Sequence, residues 1–178
     1  MEFDPLLYGP VCADLLQASG FPSRRMDLVA GECTAPAVKA RLKQLTAQDI
    51  FPDSMAPDAA LSGLYLYISC FEEAHTIAQD IHSPDGSYWH AIMHRQEPDA
   101  GNAGYWFHRV GEHPLFSVLA LDAEILGYPA GPKWDPMQFI AYCEKARHSG
   151  LKDQQALAIA VQHAEWQLLF HHCARPKE

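Results

Sequence analysis

A chain of 178 residues, 48% hydrophobic and 20% charged, has the length of one domain and enough apolar material for a core. This composition excludes a disordered segment, and the length removes any need for disulfide or metal staples. A formal net charge of −9 repels phosphate backbones, so no nucleic-acid partner is expected.

The opening Met-Glu-Phe-Asp-Pro lacks the basic start and apolar stretch of a secretory leader. Helix formers then run from Leu6 to Ala18 and stop at Gly20. Residues 21–33 read as a connection. Thr34 is placed to cap a second helix, with Pro36 in its first turn, reaching about Gln48. From Asp58 to Ile81, Leu61, Leu64, Ile68, Phe71, His75, Ala78 and His82 recur at steps of three and four. They form one helical stripe, with histidines at two of its positions. The longest uncharged part of this segment, 59–71, is shorter than the roughly 20 residues a membrane span needs. No membrane partner is therefore expected.

Residues 83–87, Ser-Pro-Asp-Gly-Ser, read as a turn that sends the next helix, from about Tyr88 to Glu97, back antiparallel. Asn102 is placed to cap a short helix ending at Gly111. Pro114 opens another, to Leu126. Asp135-Pro136 is a cap followed by a first-turn proline, and the helix it starts ends at Gly150. A last helix covers about Lys152 to His172. No segment alternates like a strand. The expectation is a single all-α domain over residues 1–178, a bundle of seven or eight helices around a central antiparallel hairpin.

Six of the ten histidines fall between His75 and His113. Two spacings there suit metal chemistry: Glu72-x-x-His75 and His90-x-x-x-His94-x-x-Glu97. Steps of three and four put side chains on one helix face, and imidazole and carboxylate are the usual ligands of zinc, iron or manganese. Reflection about a turn centred near Pro84 and Asp85 sets His75 level with His94 and Glu72 level with Glu97. Glu72, His75, His90, His94 and Glu97 are thus candidate ligands of a divalent metal. The competing reading makes His75 and His82 core histidines satisfied by polar neighbours.

A second group, Arg95, Asn102, Tyr105, Trp106, Arg109 and His113, offers guanidinium forks and aromatic faces. These suit a small anionic or polar ligand, although the same residues also serve for structural pairing and packing. A third class, a bundle whose surface binds another protein chain or a second copy, stays open. The five cysteines are scattered and form no Cys-x-x-Cys, which argues against a disulfide framework and for reduced thiols in the cytoplasm. There is no Gly-x-Ser-x-Gly elbow, phosphate loop or dinucleotide fingerprint.

The stretches YWHAIMHRQEPD, from Tyr88, and NAGYWFHRVGEHP, from Asn102, resemble a block found in a group of bacterial proteins of unassigned activity. The resemblance covers about His75 to Phe116. It implies no mechanism and directs attention to the block already marked by its histidines and aromatics.

Overall fold

The computed structural model describes residues 3–177, and among these it is all-helical, without a strand. Ten α-helices follow a 3₁₀ turn at Pro5–Tyr8: α1 (Pro10–Ala18), α2 (Pro36–Leu42), α3 (Ala47–Ile50), α4 (Pro57–Tyr67), α5 (Phe71–Gln79), α6 (Pro84–Gln96), α7 (Ala100–Val110), α8 (Leu115–Leu126), α9 (Pro136–Ser149) and α10 (Lys152–Ala174). The count exceeds seven or eight because two expected helices are each divided. The segment after Pro36 stops at Leu42 and restarts at Ala47, where Thr46 and Asp49 form a reciprocal capping box. Thr34 does not cap α2; its hydroxyl donates to the Ile68 carbonyl instead.

The second division falls within the central stripe. Ser69 adopts φ 60°. Its N–H donates to the Leu66 carbonyl, and the Cys70 N–H donates to Tyr65. These two bonds close a Schellman turn, which ends α4 and reorients the chain into α5. No glycine or proline marks the break, so the apolar period runs across it unbroken.

The hairpin turn also lies earlier than expected. Residues 84–87 are already the first turn of α6, capped by the Ser83 hydroxyl, which accepts from the Gly86 N–H. The reversal is confined to residues 80–83. Likewise α7 begins at Ala100, with the Asp99 carboxylate rather than Asn102 as its cap. The expected ends hold where the cap chemistry is strong. Asp135 accepts from the Met137 and Gln138 N–H groups, and Gly127 and Gly150 close α8 and α9 in the left-handed conformation.

The helix α10 is the axis of the bundle. It packs on α4, α8 and α9, and from Ala158 to Ala174 it buries most of its circumference, with Ala160, Ala164, Gln167 and His171 half-buried along one side. A helix with no exposed residue over this stretch is a core element rather than an amphipathic surface one. Its Trp166 indole N–H donates to the Gly63 carbonyl on α4. Gly63 is required there, because a Cβ would stand 2.7 Å from the Trp89 ring. The buried apolar side chains form one cluster, from Tyr8 to Ala174. The two remaining layers, α5 on α6 and α6 on α7, cover one flank of this core and carry His75, His90 and His94. No helix among the described residues is long and apolar enough to cross a membrane.

Candidate metal centre

Helix α6 is buried along most of its length, so several of its polar side chains enter the interior. His90 and His94 lie one turn apart and share a face directed at α5. His75 comes down from α5 to meet them. Their rings are close: His75 to His90 4.4 Å, His75 to His94 5.9 Å and His90 to His94 5.7 Å between centroids. One ligand atom from each lies within 4.8 Å of the others. His75 is thus nearer His90 than His94, because the reversal at residues 80–83 moves the midpoint of the hairpin back toward His82. His82 itself is exposed and is not a core residue.

The trio is held from both sides. The His90 ring stacks on Trp106 of α7, with centroids 4.1 Å apart and planes 4° apart, and the Arg109 guanidinium lies 5.2 Å over the outer face of Trp106. His90 is buried, yet its Nδ1 has no hydrogen-bond partner among the described residues. Burial first, then the neighbouring His75 and His94, pushes its pKa down to about 4. At neutral pH His90 is an uncharged imidazole with a buried polar atom unspent, which is the protonation state of a metal ligand. Glu97 Oε2 stands 3.1 Å from His94 Nδ1, at ion-pair distance though not aligned as a hydrogen bond. Glu72 is exposed and belongs to the rim. With His75, Thr76 and Glu97 it lines an open cleft of about 440 Å³. Of the five expected ligands, the structure brings three histidines together and leaves the two glutamates at the mouth.

The second expected group does not form one face. Arg95 turns the other way, into the core, where its guanidinium pairs with Glu165 of α10; the two side chains are 1% and 0% exposed. Asn102 is engaged by the Asp99 carboxylate. Tyr105, Trp106 and Arg109 stack outward over His90, so they support the histidine trio rather than a separate pocket.

His113 belongs to a cluster that sequence spacing did not reveal. Its Nε2 lies 3.1 Å from Asp85 Oδ1, and His172 Nε2 lies 3.3 Å from the same oxygen. The three residues come from the start of α6, the loop before α8 and the end of α10, so no local pattern joins them. They also offer three ligand atoms within 4.8 Å. However, the Leu115 N–H donates to His113 Nδ1, which places the ring proton on Nε2, facing Asp85. This cluster is a clasp in which one carboxylate is hydrogen-bonded to His113 and stands at ion-pair distance from His172.

Burial pushes the Asp85 carboxyl up, but His113 and His172 outweigh it and hold the group well below the usual carboxylate range. A depressed folded-state pKa means stability that is present above about pH 4 and lost as pH falls through the lowered value. Asp85→Asn is therefore expected to lose about 1.5–3 kcal/mol at pH 7, the scale of hydrogen bonds to a charged group. The gap to wild type should close toward pH 2. Denaturant titrations of both proteins across that range check it, and a gap independent of pH would contradict it.

No protein family, curated protein or solved structure matches this chain.

Proposed function

We propose that the protein binds a divalent transition metal, zinc by preference, through His75, His90 and His94. The observation that carries this reading is the buried, neutral His90, whose Nδ1 lacks a partner among the described residues while two further imidazoles face it. Three neutral imidazoles are a donor set that zinc accepts, with iron and manganese as the other candidates. A tetrahedral ion with bonds of about 2.0–2.1 Å needs roughly 3.4 Å between donors, so small ring rotations complete the cage.

Three protein ligands leave a fourth position, and the cleft beside His75 gives it access to solvent. An ion held in this way supplies a Lewis acid or an activated water. Glu97 beside His94, and Glu72 across the cleft, are the carboxylates in reach to orient an imidazole or accept a proton. The functional reading is therefore a metal-dependent hydrolytic centre for a small polar substrate. The Arg109–Trp106–His90 stack fixes the deepest ligand.

Untagged protein, loaded with zinc and dialysed, should retain about one equivalent by elemental analysis. His90→Ala and His94→Ala should each weaken binding at least about 100-fold, the upper range for loss of a supporting group around a metal. Their circular dichroism should remain helical. Absence of bound zinc in the loaded wild type would sink the proposal. So would an equivalent that survives His90→Ala but is lost in His172→Ala, because that would place the ion at the Asp85 clasp.

A further inference from the structure

We propose that Cys33 and Cys70 are a redox modification site, closing to a reversible disulfide when a peroxide reaches them. Their sulfurs lie 2.8 Å apart, although the residues are 37 positions apart in sequence. A disulfide requires about 2.05 Å, so each sulfur has to move by only about 0.4 Å. The backbone around them is already clamped. The Thr34 N–H and hydroxyl both donate to the Ile68 carbonyl, at 2.9 and 3.2 Å, which fixes the 33–34 segment against the turn between α4 and α5. Cys12, Cys143 and Cys173 are buried within helices away from this turn.

The two sulfurs differ in access. Cys33 is half-buried and Cys70 fully buried. Burial, then the hydrogen bond with Cys33, pushes the Cys70 thiol up to about 12. Cys33 is thus the sulfur a small oxidant meets first. Its thiolate attacks one peroxide oxygen, the O–O bond breaks, and Cys33 becomes a sulfenic acid as the first water leaves. Cys70 Sγ then attacks the Cys33 sulfur, the S–O bond breaks, and the departing hydroxide leaves as the second water with the Cys70 proton. Two thiols lose two electrons and two protons, and one peroxide becomes two waters. The bond would fasten the connection between α1 and α2 to the N-cap of α5, the helix that carries His75.

The test treats folded, metal-free protein with hydrogen peroxide and counts thiols. Free thiols should fall from five to three, peptide mapping should join the segments containing Cys33 and Cys70, and dithiothreitol should restore all five. Cys33→Ser should keep its four thiols and yield no joined species. Cys70→Ala should leave Cys33 as a sulfenic acid that a dimedone probe captures. Five thiols persisting in the treated protein, a joined pair other than 33 with 70, or oxidation of Cys33 to a sulfinic acid without cross-linking would each overturn the proposal.

Discussion

Glu165→Ala should cost about 3–5 kcal/mol of folding stability, because it strands a buried guanidinium. Glu165 and Arg95 are the most deeply enclosed ion pair in the molecule's described residues, at 0% and 1% side-chain exposure. Glu165 also accepts from the Tyr88 hydroxyl, at 3.1 Å, and the Arg95 guanidinium lies over the Phe139 ring, 4.7 Å from its centroid. Truncating the carboxylate removes two partners at once and leaves a charge that cannot reach water. A typical domain is stable by only about 5–15 kcal/mol, so the variant sits near the edge of folding. The converse follows from the same physics. Replacing the pair together, as Arg95→Met with Glu165→Leu, should recover most of the loss, because the desolvation of two charges disappears along with their attraction. Urea titrations of the single and double variants measure both effects. A single-variant loss below about 1 kcal/mol would show that water reaches Arg95.

The second large effect reverses an ordinary expectation. Glycine inside a helix is worse than alanine by about 1 kcal/mol, so helix propensity alone predicts that Gly86→Ala stabilises the protein. The packing says otherwise. A Cβ at Gly86 would stand 2.3 Å from the Ile81 carbonyl oxygen and 2.6 Å from the Ile81 Cβ. The first of these is backbone and cannot swing aside. Relief requires the turn at 80–83 to move away from α6, and the expected net loss is about 3 kcal/mol, the upper end of the usual overpacking cost. That movement also separates α5 from α6, so affinity at the proposed zinc site should fall with stability. Thermal melts and zinc titration of Gly86→Ala decide the sign.

These two positions show what the sequence displays and what it hides. The helix ends at Asp135-Pro136, Gly127 and Gly150 are legible because one residue type satisfies orphan backbone groups there. The break at Ser69 is not, because it uses a serine where glycine is usual and the apolar period continues through it. His90 and His94 are legible as a pair at one helical turn. Their meeting with His75 depends on where the hairpin reverses, and the Ser-Pro-Asp-Gly-Ser run disguises a helix start as a turn. Arg95 follows His94 directly, yet one step along a helix rotates a side chain by about 100°. That rotation takes it from the histidine face into the core, to a partner 70 residues away. The Asp85 clasp joins three distant segments, so only the assembled fold shows it.

The placement of α10 bears on how the protein is made. The helix that forms the axis of the core leaves the ribosome after every helix it packs on. Helices α4, α8 and α9 are synthesised before the surface they pack on exists. Gly63 meets Trp166 across 103 residues, and Tyr8 meets His171 across 163. Such distant contacts slow folding relative to bundles whose neighbours are adjacent in sequence. During translation the apolar faces of the early helices stay uncovered, and their collapse awaits the emergence of α10. For this protein, the core closes only once α10 has been made, whatever order its other helices form in.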